Sequence, residues 1–295
     1  MPAFFPRKRI IFLVLLLYIG ALPALAAGNV APAAPVPSKP LQPKHIDWSF
    51  EGLFGAYDRP SLQRGFKVYK EACSSCHALS HVAFRDLGGP GGPGFSAAEV
   101  AAIAASYKVL SEPDRHGKKG DAGGAALMRQ ATPADNFPPP FANEQAMRKA
   151  MNGALPPDLS LIAKARSYER GFPWFIFDFF SQFQEQGPNY IAALLQGYEK
   201  KPENASIPEG AYYNKYFPGH AIKMPPPLTN GQVTFDDGAP ATLEQYAKDI
   251  ATFLMWAAEP QMEARKRLGL QVFVFLIIFT GLMYFTKKKV WAVAH

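Results

Sequence analysis

The pentapeptide Cys73-Ser74-Ser75-Cys76-His77 decides how this sequence is interpreted, and its two cysteines are the only ones in 295 residues. Two thiols three positions apart, followed at once by an imidazole, form the C-x-x-C-H signature of covalent c-type haem attachment. Each sulfur can add to one vinyl group of a porphyrin, and the histidine then lies under the iron. We therefore predict that Cys73 and Cys76 hold one haem c and that His77 is a ligand of its iron.

Three other uses of the motif are less consistent with the sequence. A disulfide between Cys73 and Cys76 would leave His77 unexplained. A redox C-x-x-C normally ends a strand in a β-α-β unit, and no such pattern surrounds this one. A structural zinc site needs four ligands, usually from a second Cys or His pair, and the sequence has no such pair.

Composition bounds the fold class. At 295 residues the chain has room for one ordinary domain with appendages or for two small ones. Its 28 prolines and 24 glycines require many residues in irregular loops around a modest helical core. We predict a mainly α protein, a cytochrome c-like haem domain with long irregular loops, plus one C-terminal transmembrane helix.

The net charge of +7 is unevenly distributed. Nine basic residues lie in three clusters, at positions 7–9, 265–267 and 287–289, which leaves 22 basic against 23 acidic residues between positions 27 and 262. The body of the chain is therefore close to neutral, and its basic character belongs to segments that meet membranes. This distribution predicts a membrane partner and no nucleic acid.

The N-terminal region has the pattern of an export signal. Residues 1–26 combine a basic start, a short apolar core and Ala24-Leu25-Ala26, a small-x-small cleavage site. We predict a cleaved signal peptide at 1–26, with an uncleaved anchor as the alternative. Residues 27–45 are rich in proline and alanine and predict an extended tether.

Helical periodicity recurs through the remaining chain. Leu62, Phe66 and Tyr69 form one face of a helix that leads into the haem motif. Capping residues predict three more helices, after Ser96, Asn143 and Thr242, and the last of these should pack beside the haem-bearing helix. The helix after Ser96 has a predicted buried stripe of Val100, Ile103, Tyr107 and Leu110.

A sixth ligand for the iron is predicted at Met224. The residues that follow it are Pro225-Pro226-Pro227, which pin the backbone in an extended form and can hold one thioether in place without a helix. Thioether ligation suits an electron carrier, because it raises the haem potential. His220 is the competing candidate for this position.

A membrane anchor is predicted near the C-terminus, because no charged residue occurs for 19 positions from Leu268 to Thr286. A helix of that length spans roughly 28 Å, close to the hydrocarbon core of about 30 Å. We assign residues 46–262 to an extracytoplasmic haem domain and 263–295 to the anchor with a short basic cytoplasmic tail. Both flanks are basic, so the orientation rests on haem attachment outside the cytoplasm.

Four separated stretches resemble the cytochrome c1 family: Arg64–His77, Asn152–Ser160, Tyr216–Met224 and Trp256–Pro260. The resemblance runs in the same order from about residue 45 to the end, and it points to a bacterial form. It implies that Cys73 and Cys76 hold the haem by thioethers, with His77 and Met224 as axial ligands. It also implies that the haem and its propionates are lined by Pro157, Arg166 and Tyr190.

For two of these lining residues, Pro157 and Arg166, the sequence also allows an interpretation that does not depend on the resemblance. The two prolines of Gly153–Ser160 suit the edge of a flat cofactor, although a plain structural turn would have the same sequence. A physical reason supports Arg166, since a buried propionate needs a cation; the alternative is an exposed arginine at a helix end.

The aromatic segment 170–187 is an insertion relative to short family members, and we expect it to pack against a partner subunit or the membrane.

The resemblance implies the haem subunit of a quinol:cytochrome c oxidoreductase, the bc1 complex, in which electron transfer rather than catalysis is this chain's own task. Its partners would be cytochrome b, the Rieske iron-sulfur protein that donates single electrons, and a soluble c-type cytochrome that accepts them. The location would be the cell inner membrane, single-pass, with the haem domain on the periplasmic side. Acidic residues could form the docking face for a basic cytochrome; the candidates are Glu169, Asp178, Glu185, Asp236 and Asp237.

Two alternatives stay open from the sequence. The first is a catalytic or sensing haem protein, peroxidase-like or gas-binding, in which Met224 would be absent from the iron. The second is a free-standing membrane-anchored shuttle with no complex around it.

Overall fold

The computed structural model describes residues 39–111, 128–168, 171–173, 176, 186–203 and 205–294. The expected signal peptide, most of the tether and most of the aromatic segment lie outside these residues, as do Glu169, Asp178 and Glu185. The described chain is mostly helical with four short strands, as predicted.

The first helix, α1 (Arg59–Val68), carries the chain into the cysteine motif. The carboxylate of its N-cap Asp58 accepts a hydrogen bond from the Ser61 amide at 3.0 Å, and Pro60 lies in the first turn. Leu62, Phe66 and Val68 are buried. The helix continues directly into a π-turn, Tyr69–Cys73, so it delivers Cys73 as predicted.

Four further helices of 4 to 11 residues follow α1. These are α2 (Ala97–Ala105), α3 (Glu144–Ala150), α4 (Ile162–Ala165) and α5 (Gln186–Gln196). The predicted caps are confirmed at Ser96, which forms a capping box with Glu99, and at Asn143, whose side chain accepts from the Ala146 amide. The predicted stripe of α2 is wrong at its end, because the helix stops at Ala105 and Leu110 is 65% exposed on a strand.

The strands form two antiparallel pairs among the described residues. In the first, β1 (Lys108–Leu110) pairs with β2 (Met128–Gln130). In the second, β3 (Tyr212–Tyr213) pairs with β4 (Ala221–Ile222). The second pair leads the chain to Met224.

The core is built where α1 crosses α6 (Leu243–Ala258), the helix predicted after Thr242. Gly65 permits this close crossing, because a Cβ there would lie 2.2 Å from the carbonyl oxygen of Asp249. The buried Asp249 carboxylate accepts hydrogen bonds from Ser61 Oγ at 2.6 Å and from Arg64 Nε at 2.7 Å. The helix α5 packs on α6 beside α1.

The last helix, α7 (Met262–Ala294), is 33 residues long, and its apolar side chains are exposed. Among the residues that the structure describes, it is the one helix long and apolar enough to cross a membrane. A soluble helix would bury such a surface, so we describe α7 as a membrane anchor.

Candidate haem site

The two cysteines and His77 occupy one tight turn. The amides of Cys76 and His77 both donate to the carbonyl of Cys73, at 3.1 and 2.9 Å. Both thiols are free and half-buried. The turn therefore presents two sulfurs and one imidazole from a single short segment, which is the arrangement that covalent haem attachment requires.

The environment of Cys73 is unlike that of a redox-active dithiol. Burial and, to a smaller extent, the neighbouring Cys76 raise the pKa of Cys73 to about 12. Reactive cysteines in C-x-x-C motifs have lowered pKa values, because the thiolate is the nucleophile. The redox alternative therefore receives no support from this site.

The imidazole of His77 is oriented by the loop that contains Pro157. Its Nδ1–H donates to the Pro157 carbonyl at 2.8 Å, which leaves Nε2 as the nitrogen available to a metal. The Tyr69 hydroxyl donates to the His77 carbonyl at 3.2 Å. Burial lowers the pKa of His77, and the Pro157 hydrogen bond and the Asp158 charge only partly oppose this shift, which favours the neutral ring.

Asp158 clamps the Pro157 loop to the haem motif, and the sequence analysis missed this role. Its carboxylate accepts hydrogen bonds from the Ser80 amide at 3.1 Å, from the Ser80 hydroxyl and from the Ser160 amide at 2.7 Å. Burial alone would raise the pKa of Asp158, but these hydrogen bonds outweigh it and lower the pKa. The Asp-x-Ser spacing of an Asx-turn was the available sequence signal.

Met224 lies on an extended segment that is held at both ends. The Tyr198 hydroxyl donates to the Met224 carbonyl at 3.1 Å, and Leu228 anchors the far end of the proline run in the core with 4% exposure. The thioether itself is half-buried. The structure therefore fixes the Met224 backbone while its side chain keeps access to the surface.

His220, the competing ligand, is part of the turn between β3 and β4. It is buried, its backbone is left-handed with φ of 57°, and its ring stacks on Tyr213 with centroids 5.4 Å apart. Its Nδ1–H donates to the Asn214 carbonyl at 3.1 Å. These contacts give His220 a structural role in shaping the turn that precedes Met224.

The remaining predicted residues, Arg166 and Tyr190, lie close enough to interact electrostatically. Burial raises the pKa of Tyr190, and the Arg166 cation acts in the opposite direction. Tyr190 in turn lies near Tyr198, whose pKa is raised by burial and by Tyr190, and the Tyr198 hydroxyl donates to the Met224 carbonyl. The helices α4 and α5 pack against each other and against α6.

The residues present fit a c-type haem. The loop around Pro157 carries two exposed apolar side chains, Leu155 at 38% and Leu161 at 52%, as the edge of a flat apolar cofactor would require. Arg166 is an exposed cation of the kind that a propionate needs. Within the described ranges, no three His, Cys, Asp or Glu side chains gather as a metal site, so zinc finds no ligand set there.

The known proteins similar to this chain are named cytochrome c1 or cytochrome b/c1, in agreement with a c-type haem site. The model of the cytochrome C1 family matches residues 48–294. Cytochrome b/c1 of Bradyrhizobium diazoefficiens is 66% identical over 255 residues, which are 86% of this chain and 36% of that relative. Cytochrome c1 of Blastochloris viridis is 48% identical over 269 residues, covering 91% of this chain and 93% of the relative. Cytochrome c1 of Rhodospirillum rubrum is 41% identical over 261 residues, covering 83% and 86%.

The chain thus spans about a third of the Bradyrhizobium relative but nearly all of the Blastochloris one. The family match covers the whole haem motif, the Met224 segment and α7. On this evidence, the chain belongs to the cytochrome c1 family.

Proposed function

We propose that this chain is a membrane-anchored monohaem c-type cytochrome and the electron-transfer subunit of a quinol:cytochrome c oxidoreductase. Cys73 and Cys76 hold the haem through thioethers, and His77 and Met224 are its axial ligands. Membership in the family implies a covalently bound c-type haem, and the single cysteine pair limits the number to one. The observation that carries the proposal is the hydrogen bond from His77 Nδ1 to the Pro157 carbonyl, which leaves Nε2 as the nitrogen able to ligate the iron.

The protein's part is to fix the two ligands before and during electron transfer. Pro157 sets the plane of the His77 ring, and Asp158 holds Pro157 in place through Ser80 and Ser160. Tyr198 and the three prolines fix the backbone of Met224. When bound, the haem would supply one-electron transfer, and with both His77 and Met224 holding its iron there would be no position for oxygen or peroxide.

Three further residues are proposed to surround the haem. Pro157 and Tyr190 line the macrocycle, and Arg166 supplies the cation for a propionate. The proximity of Arg166 to the buried Tyr190 supports this assignment, since both then face one edge of the cofactor.

The proposed partners are cytochrome b and the Rieske iron-sulfur protein, with a soluble c-type cytochrome as the electron acceptor. The Bradyrhizobium relative, named cytochrome b/c1, supports the first of these. Of the acidic candidates for the docking face, Asp236 pairs with Lys67 at 3.2 Å and Asp237 with Arg64 at 2.6 Å. Both carboxylates nevertheless stay exposed, Asp236 at 95% and Asp237 at 45%, so they remain candidates together with Glu169, Asp178 and Glu185.

The proposed domain plan has a cleaved signal peptide at 1–26, a tether at 27–45, a haem domain at 46–262 and an anchor at 263–295. The haem domain lies on the periplasmic side of the inner membrane. The apolar exposed surface of α7 supports the anchor, and the requirement for haem attachment outside the cytoplasm supports the orientation.

The test is the optical spectrum of the protein purified from membranes of a host that makes c-type cytochromes. We expect a low-spin haem that resists extraction by acidified acetone, a weak far-red band from methionine-iron ligation, and no rapid reaction with carbon monoxide. A high-spin ferric haem or rapid carbon monoxide binding would instead support a catalytic or sensing protein. The control is a double variant, Cys73→Ala with Cys76→Ala, which should retain no acid-resistant haem.

Co-purification tests the assembly separately. A b-type cytochrome and a Rieske protein should accompany the chain through mild-detergent purification. Isolation of the chain with neither protein would favour a free-standing shuttle.

A further inference from the structure

The loop between Phe50 and Gly55 carries an exposed apolar tip. Leu53 is 77% exposed and Phe54 is 79% exposed, although the residues on either side of the loop are core residues. Trp48 and Phe50 are buried and stack with ring centroids 5.4 Å apart, and Tyr57 is buried as well. The tip is therefore a local protrusion from a packed segment.

Hydrogen bonds attach both ends of this loop to the start of α7. The Lys266 ammonium donates to the Phe50 carbonyl at 2.5 Å and to the Gly55 carbonyl at 3.3 Å. The Tyr57 amide donates to the Glu263 carboxylate at 2.9 Å, and Arg59 pairs with the same carboxylate at 2.9 Å. The loop is thus fixed to the anchor helix and cannot swing independently of it.

These contacts place the loop along α7. Tyr57 contacts Glu263, and Gly55 contacts Lys266, which lies about 4.5 Å further along α7 at 1.5 Å per residue. Because both ends of the loop contact Lys266, the loop that carries the exposed tip is held beside the start of α7. The uncharged stretch that crosses the membrane begins two residues later, at Leu268.

We propose that Leu53 and Phe54 enter the lipid interface beside α7 and form a second membrane contact of the haem domain. The occupant of this apolar tip is lipid, because its loop is fixed to α7 two residues before the uncharged stretch and the exposed Arg267 beside it suits headgroup phosphates. A single helix leaves the tilt of a domain free to vary. A second contact fixed to that helix restrains the tilt and so the height of the haem above the membrane.

The test is photo-crosslinking in the membranes of cells that express the full chain. The variant is Phe54→p-benzoylphenylalanine, and covalent haem staining confirms that it has folded. The matched control is the same replacement at Asp236, which pairs with Lys67 two turns along α1 from the anchor contact. The positive control is the replacement at Phe279, in the middle of α7.

We expect lipid adducts at position 54 at about the yield seen at position 279 and about tenfold above the yield at position 236, given the preference of such side chains for an apolar phase. A main adduct to another polypeptide, or a lipid yield no higher than at position 236, would overturn the inference. The inference rests on the proposed anchor, and absence of lipid adducts at position 279 would show that the anchor itself is wrong. A second variant, Leu53→p-benzoylphenylalanine, should give the same result.

Discussion

Replacing Gly65 by alanine should destabilise the protein, although alanine is the better helix former. The substitution lies in α1 where it crosses α6. The added Cβ would lie 2.2 Å from the carbonyl oxygen of Asp249 and 2.6 Å from Cβ of Phe253, whereas ordinary van der Waals contact begins at 3.4 Å. Because the nearest obstacle is backbone, no side-chain rotation relieves the clash, and the two helices must separate by about 1 Å.

The loss of stability in Gly65→Ala is the difference between a gain in helix propensity and the costs of overpacking and of stretched hydrogen bonds. Alanine gains about 1 kcal/mol of helix propensity over glycine. Overpacking costs about 1–3 kcal/mol, and separation also stretches the hydrogen bonds from Ser61 and Arg64 to the buried Asp249 carboxylate. Hydrogen bonds to charged groups are worth about 1.5–3 kcal/mol each. We therefore expect a net loss of about 3 kcal/mol in the free energy of unfolding.

The assay is urea unfolding of the purified holoprotein in detergent, followed through the haem spectrum. The matched control is Gly269→Ala in α7, where a Cβ has nothing within 4 Å and where we expect no loss and a gain of up to about 1 kcal/mol from helix propensity. A Gly65→Ala protein as stable as the parent, or about 1 kcal/mol more stable, would refute the close crossing.

Three further substitutions have expected outcomes in the same assay. Arg64→Ala leaves the fully buried Asp249 carboxylate without its cation and should cost about 3–5 kcal/mol; a loss below 1 kcal/mol would contradict the buried pair. Asn189→Ala removes the acceptor of the buried Trp48 indole and should cost about 1–3 kcal/mol, whereas an unchanged unfolding midpoint would contradict this contact. Asp158 has a lowered pKa in the folded protein, so its stabilisation is complete above about pH 4 and is lost as the pH falls through the folded pKa. An Asp158→Ala protein should lack this acid-dependent component, and parallel stability curves of variant and parent from pH 3 to 7 would contradict the clamp.

Local patterns in the sequence were sufficient to predict the helices that position the site. Ser96, Asn143 and Thr242 each accept a hydrogen bond from an amide in the first turn of a helix, so a window of a few residues is enough to predict these helix starts. The spacing of Leu62 and Phe66 likewise predicted the buried face of α1, because helical periodicity is visible within a few residues.

Long-range contacts could not be predicted from such windows. The indole of Trp48 donates to Asn189, 141 positions away, and Lys266 reaches the Phe50 carbonyl across 216 positions. The prediction for Leu110 was wrong because helical spacing continued past the end of α2, where pairing with β2 took over. Tertiary pairing overrides local propensity in such short strands.

The most direct test of the account is the substitution Met224→Leu, measured by optical spectroscopy and redox titration. If Met224 is the sixth ligand, the haem stays covalently bound and the far-red band disappears. The midpoint potential falls by a few tenths of a volt, within the range of roughly 0.8 V that axial ligands span. The matched control, Met128→Leu, alters a methionine that is 52% exposed on β2 and should change neither quantity. An unchanged far-red band and midpoint potential in Met224→Leu would contradict the assignment of His77 and Met224 as the two axial ligands of the iron.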